Sequence, residues 1–167
     1  SERWSELEEL FEQAALNSTD IDRKIGILGE VAMVAEEIMG DPTKAIRYHE
    51  RILAIDPLHV PSLDTLEKLY EDEERYLDLG RLLERRLETS VDDEAVDIRL
   101  YLGRLYLERL EQPEASLTKC EEILHARPDD PEARELAGRL LELEPLRLRA
   151  AVLLEGVYEA RDDAKSL

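Results

Sequence analysis

Proline stands only at the edges of helical patterns in this chain, and that arrangement narrows what the chain can fold into. Pro42, Pro61, Pro113, Pro131 and Pro145 each precede a stretch with apolar residues at i, i+3 and i+4. Proline is tolerated at the first position of a helix, where its missing N–H has no intrahelical partner to lose. Asp41 and Asp130 sit directly before two of these prolines and supply a side-chain acceptor where the first backbone N–H groups need one. Pro57 and Pro128 follow apolar stretches and mark their ends.

Between these marks the apolar stripes have the helical period. Leu7, Leu10, Phe11 and Ala14 form one stripe, Ile27, Val31, Val34, Ala35 and Ile38 another, and Leu153, Leu154, Val157 and Tyr158 the last. The spacing predicts nine helices, over 3–16, 20–39, 42–55, 60–72, 75–88, 93–110, 113–126, 131–142 and 145–161. Gly40 is placed to cap the second of them at its C-terminus. The alternation that marks strands is missing, so the expected fold is all-α. Aromatic residues are only 5% of the chain against 43% apolar residues, so the core must be built from aliphatic side chains.

Charge and motifs narrow the function. The chain carries 22 basic against 41 acidic residues, a formal charge of −19. A nucleic acid would have to approach against that field, whereas a basic partner is compatible with it. No apolar run approaches the roughly 18 residues of a membrane span, and no signal-peptide pattern is present. The expected location is therefore cytoplasmic. Cys120 is the only cysteine, which excludes an intramolecular disulfide, and its spacing is that of a buried helix position. The chain has no Gly-rich phosphate loop, no His-Glu-x-x-His and no nucleophile elbow. No catalytic activity, metal or cofactor is expected. His49 lies on an apolar helix face and is expected at the core boundary, His59 lies in the turn before Pro61, and His125 is near a helix end. Two acidic runs fall at helix junctions. Asp92-Asp93-Glu94 suits a helix N-terminus and its cap. Glu71-Asp72-Glu73-Glu74 sits where the helix dipole opposes it, which makes it the better candidate for an interaction.

The helices repeat. Leu66-Glu67-Lys68-Leu69-Tyr70 aligns with Leu102-Gly103-Arg104-Leu105-Tyr106 at an offset of 36, and Ala137-Gly138-Arg139-Leu140-Leu141 follows at 35. Lys44-Ala45-Ile46 aligns with Ala115-Ser116-Leu117 at 71, about two repeats. A period near 35 with two helices per unit resembles the tetratricopeptide (TPR) repeat. Leu102, Gly103, Tyr106 and Ala115 carry the resemblance, with Leu66, Tyr70 and Gly138 matching in part and Pro57 and Pro128 at the place of the closing proline. The family's early Trp is absent from every unit. The resemblance implies a right-handed α-solenoid of stacked antiparallel helix pairs, a single domain over 1–167 with units at about 1–19, 20–57, 58–91, 92–130 and 131–167. Gly103 and Gly138 each cost ~1 kcal/mol inside a helix, and close helix packing is the expected compensation.

The family's concave face is lined by the first helix of each pair and binds peptides or partner domains. Lys68, Arg104 and Arg139 share one place in three aligned units, a place that faces this groove in the family. They form a candidate basic ladder for an acidic segment or a peptide carboxylate. The competing reading pairs them with Asp64, Glu71, Glu135 or Glu142 on their own helices. The family's chaperone-tail clamp also uses Asn, and the only Asn, Asn17, is not at a matching place. The expected function is a non-catalytic scaffold for another protein or peptide. The alternatives are a structural spacer, or an accessory domain of a protein whose enzyme lies elsewhere. Asp163–Leu167 resembles the start of a further second helix, so the chain is expected to be a fragment of a larger repeat protein. It is expected to be a monomer or a weak homodimer through exposed solenoid ends, and Trp4 is expected to pack on the next helix or to lie partly exposed.

Overall fold

The structure, a computed structural model, describes the backbone of residues 2–165 and the side chains of residues 6–159. The described residues form nine helices and no strand. Helix α1 is Glu2–Asn17, and α2 is Ile21–Met33, continued by a π-helical turn over Val34–Ile38. Then come α3 Pro42–Ile55, α4 Val60–Asp72, α5 Tyr76–Leu87, α6 Asp92–Glu108, α7 Pro113–Ala126, α8 Pro131–Leu140 and α9 Arg147–Lys165. Every expected helix is present, and the differences lie at the last junction. Helix α8 ends at Leu140, and successive turns run to α9, with Leu143 O accepting from the N–H groups of Leu146 and Arg147 at 2.9 Å each. Pro145 therefore lies in the turn and not at the first position of a helix. Residues Asp163–Lys165 continue α9 and do not open a new helix. Ser166, Leu167 and the packing of Trp4 lie outside the described residues.

Local chemistry explains the ends. The carboxylates of Asp41 and Asp130 accept from the Lys44 and Ala133 N–H groups at 2.9 Å each, and Asp20 accepts from Arg23 at 3.2 Å. A cap of this kind is worth about 1 kcal/mol. Gly40 has φ 61° beyond the π-helical turn, and the next N–H, of Asp41, donates to Ala35 O at 2.8 Å. Only glycine reaches that backbone region without steric cost. Glu74 and Glu111 adopt the same left-handed conformation after α4 and α6, with φ 55° and 52°. The run at 71–74 is thus a helix-closing turn. The next residue, Arg75, is engaged outside the run: it reaches Asp78 at 2.7 Å and lies 4.9 Å over the Tyr70 ring. Asp92, Asp93 and Glu94 form the first turn of α6, but the capping position falls on Val91, which has no side-chain acceptor. That run acts through the helix dipole and not as a cap.

The chain divides into two compact units, residues 1–82 and 83–167. In the first, Ala15, Leu28, Val31, Ala32, Tyr48 and Ile52 form a buried cluster. In the second, Leu117, Cys120, Leu124, Leu136, Leu140 and Ala150 are at the centre. Four stripe residues are exposed against expectation: Leu10 at 68%, Ala14, Ile38 at 54% and Tyr158 at 56%. Burial goes to Ala15, Ala35 and Val157 nearby.

The two glycines of the repeat signature differ. A Cβ on Gly103 would lie 2.8 Å from Leu136 Cδ2 and 3.7 Å from Lys119 Cβ, so α7 and α8 both close on α6 there. A Cβ on Gly138 would meet nothing within 4 Å. Close packing therefore accounts for Gly103 and not for Gly138, because no described group approaches that face of α8. The small residue of the second helix is also displaced by one. Ala115 is half-buried, while Ser116 is fully buried and its carbonyl O would stand 3.9 Å from a Cβ on Gly103. Its counterpart 71 residues earlier, Ala45, is fully buried as well.

Candidate functional site

The helical register sets where the three cations of the candidate ladder point. Leu66 and Leu102 are fully buried, and two residues further on each helix surfaces at Lys68 and Arg104. Arg139 surfaces likewise after the buried Ala137. Arg104 on α6 is ion-paired with Glu132 on α8, and Arg139 on α8 reaches back to Glu108 on α6 at 2.7 Å. The two pairs cross reciprocally between α6 and α8, so both guanidiniums lie on one face of the second unit. Neither arginine takes an acid of its own helix, because the neighbouring helix presents a carboxylate within reach. Both side chains stay 48% exposed. Lys68, in the first unit, is exposed and has no ion-pair partner among the described residues.

The signature tyrosines make a second set of bonds that the sequence reading did not single out. Tyr70 Oη on α4 donates to Glu50 on α3 at 2.8 Å, and Tyr106 Oη on α6 donates to Glu84 on α5 at 2.7 Å. Burial, and then the carboxylate it bonds, holds each phenol above its usual pKa. Lys119, nearly buried on α7, reaches the same Glu84 at 3.0 Å. The signal was present in the spacing. Tyr70 and Tyr106 are 36 residues apart, and Glu50 and Glu84 are 34 apart. Each tyrosine thus joins the first helix of a pair to the helix before it.

The described residues form the all-helical, TPR-like helical-repeat fold. The solved structures similar to the chain include the crystal structure of MamA, at 14% identity and a TM-score of 0.52, with 94% of this chain and 88% of that one covered. A second, MamA MSR-1 C2, is 18% identical with a TM-score of 0.52 and covers 97% and 89%. No family model matches the chain, and no curated protein matches it either. At these identities the likeness concerns the fold.

Within that fold, two further features are unlike a bare stack of aliphatic helices. Helix α1 is held by carboxylates: Glu8 bonds Lys44 at 2.7 Å and Tyr48 Oη at 2.8 Å, and Glu12 bonds Tyr48 Oη at 3.1 Å and Arg51 at 2.5 Å. Between α7 and α9 lies an open, mainly apolar groove of about 860 Å³, lined by Leu124, His125, Pro128, Leu148, Val152 and Val157. Leu148 and Val152 are 77% and 60% exposed and were not part of the expected stripe. Cys120 sits in the core as expected, fully buried. Among the described residues no three His, Cys, Asp or Glu side chains gather as a metal site, and no helix is long and apolar enough to cross a membrane.

Proposed function

We propose that this chain is a non-catalytic protein-interaction scaffold that takes an acidic segment of another protein through Arg104 and Arg139 of the second unit, with Lys68 of the first unit as a separate candidate contact. The observation that carries this reading is the reciprocal crossing of Arg104–Glu132 and Arg139–Glu108 on one exposed face. Exposed pairs of this kind contribute only about 0–1 kcal/mol each. A partner carboxylate therefore exchanges with Glu132 or Glu108 at little cost and gains a bidentate guanidinium bond. The TPR-like fold supports the reading, since stacked first helices supply an extended surface. The partner is a protein or peptide; the net charge of −19 disfavours nucleic acid.

A spacer role is the second reading, and the same crossing favours it, because each guanidinium already has a partner. One experiment separates the two. Fluorescence anisotropy with Glu/Asp-rich peptides ending in a free carboxylate is measured on the native chain and on the triple variant Lys68→Glu, Arg104→Glu, Arg139→Glu. The scaffold reading expects binding that weakens with salt, as charges more than about 8–10 Å apart are screened, and that the variant loses without a change in melting temperature. Binding that survives all three reversals sinks the proposed face. Absence of binding in the native chain, together with a lowered melting temperature in the variant, favours the spacer.

A further inference from the structure

The α3–α4 turn holds a cluster of titratable groups that neither the ladder nor the repeat signature uses. Ser62, in the first turn of α4, is fully buried. Its Oγ lies 3.0 Å from Nδ1 of His49 on α3 and 2.9 Å from Nδ1 of His59 in the turn. Two imidazole nitrogens therefore face one hydroxyl. The backbone settles the proton positions. His59 is the capping residue of α4, and its Nδ1 accepts from the Ser62 N–H at 3.3 Å, an N–H shared with His59 O at 3.1 Å. An accepting Nδ1 is unprotonated, so His59 carries its hydrogen on Nε2. The Ser62 hydroxyl then donates to that Nδ1, and its oxygen accepts from the Nδ1–H of His49. The result is one directed chain, His49 Nδ1–H to Ser62 Oγ–H to His59 Nδ1, with opposite tautomers at its two ends.

We infer that this turn is an acid-sensitive hinge, in which protonation of His59 uncaps the N-terminus of α4. A proton on His59 Nδ1 turns the capping acceptor into a donor that faces the Ser62 N–H. It also places a positive charge at a helix N-terminus, where the dipole disfavours it. The hydroxyl of Ser62 loses this acceptor at the same moment, and His49 replaces it only by moving its own hydrogen to Nε2. The carboxylates of the turn and of α3 bond other groups. Asp56 in the turn accepts from the Leu58 N–H at 3.1 Å, and Glu50 on α3 is taken by Tyr70 and by Arg75 at 3.4 Å. Among the described titratable groups of α2, α3, α4 and the turn, His59 alone acts electrostatically on His49. Burial, with His59 adding a smaller repulsion, holds the His49 imidazole below the usual histidine range. Burial therefore disfavours a proton on His49.

The test is amide hydrogen exchange on the full chain, corrected for intrinsic rate, at pH 7.5 and pH 5.5. Protection of Ser62 and Leu63 is expected to fall by about fivefold, the scale of one lost helix cap, while α7 keeps its protection. His59→Asn, which caps without titrating, is expected to keep Ser62 and Leu63 protected at both pH values. If that variant fails to fold, ring ¹⁵N shifts of the native chain decide: Nε2–H on His59 and Nδ1–H on His49 are expected. Unchanged protection at pH 5.5, an equal loss in His59→Asn, or His59 carrying its hydrogen on Nδ1 overturns the inference.

Discussion

Tyr106 on α6 donates its phenolic hydrogen to Glu84 on α5 across 2.7 Å, and Lys119 on α7 reaches the same carboxylate at 3.0 Å. Three consecutive helices thus meet at one acid. The aromatic ring supplies the apolar contact and the hydroxyl supplies direction, because a half-buried phenol needs an acceptor.

Tyr106→Phe keeps the ring and removes only this bond. We expect a loss of about 0.5–1.5 kcal/mol, at the scale of a net protein hydrogen bond, since Glu84 retains 39% side-chain exposure. Urea denaturation of Tyr106→Phe, Glu84→Gln and the double variant measures it. Purely additive effects mean that the bond does not couple the two helices.

Gly103 and Gly138 occupy the same place in two units yet face different surroundings. Gly103→Leu forces side-chain atoms into the 2.8 Å approach of Leu136 and is expected to destabilise by about 1–3 kcal/mol through overpacking. Gly138→Ala enters open space in a helix and is expected to stabilise by up to ~1 kcal/mol through helix propensity. Thermal melts of the two variants should move in opposite directions, and a shared direction contradicts the packing described for α6.

Helix α1 should respond to acid. The hydrogen bond from Lys44 holds Glu8 below the ordinary carboxylate pKa of 4.5, and that from Arg51 does the same for Glu12. Both groups bind more protons in the unfolded chain, so their contribution is complete above that value and is lost as pH falls below it. Exchange protection of the α1 amides should therefore drop below about pH 4.5, and Glu12→Gln should lower it already at pH 7. An α1 that stays protected at pH 3 contradicts this attachment.

Cys120 should be silent in the folded protein. Burial pushes its thiol up to about 12, and no part of the side chain is exposed. The thiolate is the reactive form, so labelling by a thiol reagent at pH 8 should be slow in buffer and rapid in denaturant. Equal rates in the two conditions place the thiol at the surface.

Much of the candidate face was legible in the register. The period placed Lys68, Arg104 and Arg139 on the exposed side of their helices, and the structure leaves all three at the surface. Their partners were not legible. Helical spacing offered Glu135 and Glu142 to Arg139, yet the acid that meets it is Glu108, 31 residues away. The groove beside α9 was missed because the stripe read there, Leu153, Leu154, Val157 and Tyr158, left out Leu148 and Val152, which are exposed.

The sequence by itself determined the number of helices, most of their limits and the all-helical class. Those depend on interactions within one turn: the apolar period, Pro at the first position, the caps of Asp41 and Asp130, and the left-handed Gly40. Tertiary structure alone decided that Gly103 is a close contact and Gly138 is not, that Ser116 and not Ala115 is the small buried residue, and that Arg104 crosses to Glu132. Each of these joins groups on different helices, 28 residues apart for Arg104 and Glu132. Their meeting depends on how the helices cross and how far they stand apart, and side-chain packing sets both across the whole interface.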